Sequence, residues 1–68
     1  MIAEIVRWFP ETQERGAYGF AKGYCERDII VHADRIILGE PFVGAKIECK
    51  TILGKNNRLL ARDVRIIG

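Results

Sequence analysis

The sequence lacks most of the groups that catalysis needs, because it contains no serine, a single histidine and only scattered carboxylates. No nucleophile with a neighbouring general base can be nominated, so we expect a protein that is not an enzyme. A chain of 68 residues has material for one domain, residues 1–68, with no deep cleft. No small-molecule substrate is therefore expected.

Cysteine is equally scarce, with only Cys25 and Cys49 in the chain. Two cysteines are too few for a disulfide framework, and they lack the spacing of a zinc site. We therefore expect reduced thiols and neither a metal nor another cofactor. Cys49 falls at an inward position of an apparent strand and should be buried, whereas Cys25 lies in a predicted turn and should be exposed.

Long uncharged apolar runs are also missing. The apolar amino-terminal stretch is interrupted by Glu4 and Arg7, and nowhere do about 18 apolar residues follow one another. The sequence therefore predicts neither a signal peptide nor a membrane partner, and a cytoplasmic location is the default expectation.

Charge of one sign is not abundant either, since 11 Lys and Arg stand against 9 Asp and Glu, giving a formal net charge of +2. The total charge therefore indicates no particular partner, but a local basic stripe would still favour nucleic acid. The candidates for such a stripe are Arg7, Arg15, Lys22, Lys55, Arg58 and Arg62.

Turn-forming residues, by contrast, are frequent and divide the chain into short segments rich in β-branched and aromatic residues. These segments predict five strands, at residues 2–9, 17–22, 28–32, 45–53 and 58–67. A single helical turn is expected within residues 33–38, inside the one long connection. The predicted fold is all-β, a five-stranded antiparallel Greek-key barrel.

The second predicted strand has an unusual distribution of side chains. Its odd positions are small, while Tyr18 and Phe20 occupy even positions and Lys22 continues their row. Since successive side chains of a strand point to opposite faces, the small residues suit the crowded inside of a tiny barrel. The aromatic residues are therefore predicted to lie outside.

The third predicted strand is apolar on both faces, with Ile30 and His32 forming its outer row. An exposed apolar face on two neighbouring strands indicates a binding surface. We expect Trp8 and Phe9 to join this surface if a β-bulge brings both side chains to the same side.

The order of these motifs along the chain resembles the cold-shock domains. Arg7-Trp8-Phe9 is similar to the family's K-W-F, and residues 16–21, G-A-Y-G-F-A, resemble its RNP1 motif K-G-F-G-F-I. Residues 28–32, D-I-I-V-H, resemble the RNP2 segment D-V-F-V-H-F, and residues 61–64, A-R-D-V, resemble its A-x-N-V ending. The resemblance spans nearly the whole chain.

The resemblance implies an OB-fold barrel that binds single-stranded RNA or DNA by base stacking on RNP aromatic rings. Such domains act as RNA chaperones or transcription regulators. The predicted nucleic-acid-binding residues are Arg7, Trp8, Phe9, Tyr18, Phe20, Lys22, Ile30 and His32. Arg15, Arg58 and Arg62 are weaker candidates for phosphate contacts.

The chain also departs from the family pattern. Ile30 and Ala33 replace the two RNP2 phenylalanines, and the segment 10–15 is longer than the family's turn. We therefore expect a shorter, weaker or more hydrophobic site. One alternative is a protein-interaction barrel, such as a homodimer, and another is an unrelated SH3-like barrel. Phe42, in the long connection, either plugs the barrel end or extends the aromatic surface.

Overall fold

The computed structural model describes residues 1–23 and 27–68, so the expected exposure of Cys25 lies outside the described residues. The chain is all-β, with two short 3-10 turns at Ala33–Arg35 and Lys55–Asn57. The strands are β1 (Ile2–Phe9), β2 (Tyr18–Lys22), β3 (Asp28–His32), β4 (Ile36–Leu38), β5 (Lys46–Leu53) and β6 (Leu59–Ile66). No helix in this part of the chain is long and apolar enough to cross a membrane.

Five of the strands close into a barrel in the order β1, β2, β3, β6, β5 and back to β1. The predicted five-stranded OB-like barrel is thus confirmed, with one difference in strand direction. A closed ring with an odd number of strands cannot alternate direction throughout, and here β3 and β6 run parallel, with Ile30 opposite Leu60. All other neighbouring pairs within the ring are antiparallel.

The segment 33–38 differs from its prediction. Its first half forms a 3-10 turn, but Ile36–Leu38 forms β4, which pairs in parallel with β6 outside the ring. The single turn expected within residues 33–38 is therefore present at Ala33–Arg35, whereas the strand at Ile36–Leu38 was not predicted. Pairing with β6 satisfies their backbone groups, and two of the three residues are isoleucines, whose β-branching favours a strand.

The core is built from small and β-branched side chains, as a narrow barrel requires. Cys49 is 2% exposed, which confirms its predicted burial, and this burial raises the pKa of its thiol. The other buried apolar residues are Ala3, Ile5, Ala21, Ile29, Val31, Ala45, Ile47, Ala61 and Val64.

Within the five-stranded ring, the described residues contain two bulges that interrupt the alternation of the strands. In β1 the register shifts between Ile5 and Arg7, and in the β5–β6 pair it shifts between Glu48 and Lys50. The second bulge contains Asp63 at φ 51°, and Asp63 forms a 3.9 Å ion pair with Lys50. The first bulge decides which aromatic side chains of β1 face outward.

The turn between β5 and β6 contains two consecutive asparagines. Asn56 and Asn57 both have positive φ, at 60° and 59°. Asparagine tolerates the left-handed region better than other side chains with a Cβ atom, so this pair fits a tight reversal of the chain.

Candidate functional site

Four aromatic rings, Phe9, Tyr18, Phe20 and His32, lie together on the outside of the barrel, and we call them the aromatic face. Phe9 stacks on Tyr18, with ring centroids 5.0 Å apart and planes inclined by 24°. Phe20 meets both of these rings edge-on at 6.1 and 6.0 Å. The His32 ring lies 6.2 Å from Tyr18.

Strand register explains this cluster. Phe9 on β1 lies opposite Tyr18 on β2, and Tyr18 lies opposite His32 on β3. Directly opposed residues share a face of the sheet, and their side chains are close enough to interact. Tyr18 and Phe20 are therefore outside, as the small residues between them predicted, because Gly19 and Ala21 are buried on the inner side.

The bulge in β1 is the reason that Phe9 faces outward and belongs to the aromatic face. Before the bulge, Ala3 and Ile5 point inward, while Val6 and Arg7 are two consecutive exposed residues. This extra outward residue reverses the alternation, so Phe9 faces outward at an odd position. Without the bulge, Phe9 would point into the core.

The same reversal turns Trp8 towards the side of Gly19, so the structure does not bring it together with the four rings of the aromatic face. Trp8 lies opposite Gly19 and packs against the core, and a Cβ atom at Gly19 would collide with its ring at Cε3. A bulge places one pair of consecutive residues on the same side, and here that pair is Val6 and Arg7. Trp8 and Phe9 come after it and alternate normally.

Ile30 occupies the centre of an apolar row that crosses the barrel. It lies between Phe20 on β2 and Leu60 on β6, and Leu60 in turn lies opposite Ile52 on β5. Ile30 is therefore beside the aromatic face, as predicted. Leu60 and Ile52 were missed, because their proximity depends on the parallel β3–β6 pairing, which the sequence alone does not reveal.

The predicted cations Arg7 and Lys22 both lie next to Phe20. They line a shallow hollow with Phe20, Val6 and Asp28. Both cations thus border Phe20 at the edge of the aromatic face.

Arg15 contacts the aromatic face more directly than the sequence indicated. Its Nη1 donates a 3.1 Å hydrogen bond to the Tyr18 hydroxyl, and its guanidinium carbon lies 5.4 Å from the centre of the Tyr18 ring. A turn centred on Thr12 holds this arginine, since the Thr12 hydroxyl accepts hydrogen bonds from the Glu14 and Arg15 backbone N–H groups. The segment 10–15 therefore forms part of the site.

Two further arginines lie near Ile30. Arg58 lines hollows on both sides of Ile30, and Arg27, which the sequence analysis did not select, donates a hydrogen bond to the Asn57 carbonyl. Arg62 lies opposite Lys50 in the β5–β6 register. The sequence alone does not show that Arg58 lies near Ile30 and Arg62 does not, because this difference depends on how the barrel closes.

Phe42 is separate from this cluster. Its side chain is 52% exposed, so it does not plug the barrel end. Its turn is attached to β1 by the Gly44 N–H, which donates to the Ile5 carbonyl. No aromatic pair within the described ranges includes Phe42, so it does not extend the aromatic face.

An open groove of about 640 Å³ runs along the Tyr18–His32 side of the aromatic face. Its apolar and aromatic lining consists of Tyr18, Phe20, Ile30 and His32, and its charged lining consists of Glu11, Arg15, Asp34 and Arg58. This volume is in the range of small-ligand sites, about 300 to 1,000 Å³. Across residues 1–23 and 27–68 there is no group of three or more potential metal ligands.

Comparison of the sequence with models of known protein families gives no match, and comparison with curated protein sequences finds no relative.

Proposed function

We propose that this protein binds single-stranded RNA or DNA on its aromatic face, without a cofactor. The observation that carries the proposal is the cluster of four rings, contributed by three strands, on the opposite side of the sheet from the core. An aromatic cluster outside a small barrel is the arrangement that single-strand binding proteins use to stack bases.

The energetics of stacking suit such a surface. Each base stacked on an aromatic ring contributes about 1 to 3 kcal/mol, and every base has a π face, so binding tolerates many sequences. A base in a duplex is already stacked and paired, so this surface favours unpaired strands. The protein would then shift RNA or DNA towards unpaired forms, an RNA-chaperone-like or transcription-regulatory activity in the cytoplasm.

The charges around the aromatic face support binding of a polyanion. Arg7 and Lys22 lie along one side of Phe20, and Arg15 and Arg58 line the groove on the other side. Each cation that neutralises a phosphate releases a counterion from the strand. Three to five such contacts predict a log–log salt slope of about −2 to −3.5 for a single strand.

The stacking of Phe9 on Tyr18 limits the number of bases that the surface accommodates. Since each of these rings covers one face of the other, each offers a single remaining face. Phe9 and Tyr18 together therefore offer two free ring faces to bases instead of four. This supports the expectation of a short binding site.

The proposal is tested by titrating labelled single-stranded oligonucleotides of about ten nucleotides, and the matching duplex, at several salt concentrations. Fluorescence anisotropy should show binding of the single strand, a weaker affinity for the duplex and the salt slope given above. Absence of binding at low salt would refute the proposal.

The second candidate function is a protein-interaction barrel. The apolar row through Phe20, Ile30, Leu60 and Ile52 favours it, because a continuous apolar surface is also typical of a protein interface. Analytical ultracentrifugation separates the two functions. A dimer that dissociates when Ile30 is changed to glutamate supports the interface, whereas a monomer at high protein concentration contradicts a homodimer.

A further inference from the structure

The groove beside the aromatic face carries charges of both signs. Arg15 and Arg58 are accompanied there by Glu11 and Asp34. In a groove that bound only the phosphates of a strand, cations would raise the affinity and carboxylates would lower it, because carboxylates repel the negatively charged strand. Neither carboxylate forms a salt bridge with any residue that the structure describes. Both are therefore available to accept hydrogen bonds from a ligand.

Asp34 is the more firmly placed of the two carboxylates. It lies in the 3-10 turn Ala33–Arg35, directly after His32 of the aromatic face. The Ala33 N–H donates a 3.0 Å hydrogen bond to the Ala17 carbonyl, immediately before Tyr18. The 3-10 turn that contains Asp34 is thus tied at its first residue to the residue before Tyr18.

A carboxylate in this position selects among bases by their hydrogen-bonding edges. It has two acceptor oxygens and no donor when ionised, and Asp34 is exposed. Guanine is the only common base whose Watson–Crick edge carries two adjacent donors, N1–H and the N2 amino group. Adenine and cytosine have one donor beside an acceptor, and uracil has one donor between two carbonyl oxygens.

We propose that Asp34 recognises guanine, by accepting hydrogen bonds from N1–H and the N2 amino group of a base that stacks along the Tyr18–His32 side of the groove. This inference rests on the proposed function and adds a base preference to it. A bidentate contact to a base contributes about 1 to 3 kcal/mol of discrimination, or about 5- to 150-fold in affinity. Single-stranded bases are read in this way when their Watson–Crick edges are free.

The experiment uses oligothymidine strands of about ten nucleotides with a single central guanine, inosine or adenine. Inosine retains N1–H but lacks the amino group, so it should bind with an affinity between those of guanine and adenine. The full chain should bind the guanine strand at least about 5-fold more tightly than the adenine strand.

The variants Asp34→Asn and Asp34→Ala should remove this preference. Glu11→Gln is the matched control, since it neutralises the other groove carboxylate, and it should keep the guanine preference. Circular dichroism should show that all three variants are folded, because both side chains are exposed.

The possible failures are distinguishable. Equal affinities for guanine and adenine, or a guanine preference that persists in both Asp34 variants, would overturn the role of Asp34 and leave the proposed function intact. The role of Asp34 would also be overturned if Glu11→Gln lost the guanine preference and the Asp34 variants kept it. Failure to bind any of the strands at low salt would overturn the proposed function itself.

Discussion

The Trp8 ring fills the space into which a side chain at Gly19 would project, on the inner side of the β1–β2 pair. Phe9, the next residue, stacks on Tyr18 on the outer side. Two neighbouring aromatic residues of one strand thus have different roles. Trp8 completes the core, and Phe9 belongs to the surface that we propose to bind nucleic acid.

Gly19→Ala should destabilise the fold. The added Cβ would collide with the Trp8 ring and with the Arg7 carbonyl oxygen, and a backbone atom cannot move aside easily. We expect a loss of about 1 to 3 kcal/mol in the free energy of unfolding, measured by urea denaturation. Gly16→Ala is the control, because nothing lies within 4 Å of the position of its new Cβ. Equal stabilities of the two variants would contradict the placement of Trp8.

Trp8→Ala and Phe9→Ala should separate stability from binding. Removal of the half-buried Trp8 ring should lower the free energy of unfolding by about 2 to 4 kcal/mol, because it leaves a gap beside the core. Phe9 is 38% exposed, so its removal should cost less stability and more oligonucleotide affinity. Denaturation and anisotropy titrations on both variants check this. Loss of affinity in a folded Trp8→Ala protein, with Phe9→Ala unaffected, would reverse the assignment.

The sequence was informative where local alternation decides the structure. Tyr18 and Phe20 alternate with small residues, so their outward orientation follows from the period of a strand and from the narrow barrel interior. Ile30 and His32 follow by the same argument. Cys49 was also predicted correctly, because its strand alternates between buried and exposed positions until its last residues.

The sequence was less informative where long-range pairing decides the structure. No glycine marks the bulge at Val6 and Arg7, so the sequence did not reveal that the bulge precedes Trp8 and Phe9 and leaves them on opposite sides of β1. Arg58 reaches the groove because β3 and β6 pair in parallel, and Arg15 does so because the Thr12 turn directs it towards Tyr18. Neither arrangement leaves a local pattern in the sequence.

Arg15→Ala should reduce the salt dependence of binding. If the Arg15 guanidinium contacts one phosphate, its loss should make the log–log salt slope less steep by about 0.7. Arg62→Ala, which removes a cation opposite Lys50 on β5, should leave the slope unchanged. The measurement is a set of anisotropy titrations between low and moderate salt. A larger change in the salt slope for Arg62→Ala than for Arg15→Ala would contradict binding of the oligonucleotide beside Tyr18.

Cys49 should make stability depend on pH in the alkaline range. Burial raises the pKa of its thiol in the folded state, so as the pH rises the unfolded chain loses the thiol proton first. The contribution of the protonated thiol to the free energy of unfolding is complete below the ordinary thiol pKa of about 8.5 and declines above it. Urea denaturation should show that the free energy of unfolding of the Cys25→Ser variant falls more steeply with rising pH than that of the Cys25→Ser, Cys49→Ala double variant. The same pH dependence of the free energy of unfolding in both variants would contradict this account.

The most direct test of the aromatic face compares Phe9→Ala with Phe42→Ala. Both remove an exposed phenyl ring, but Phe9 stacks on Tyr18 whereas Phe42 lies in a separate turn. Affinity for a single-stranded oligonucleotide should fall about 5- to 150-fold for Phe9→Ala and stay near that of the unmodified chain for Phe42→Ala. Equal affinities of the two variants would contradict the claim that the aromatic face binds the strand.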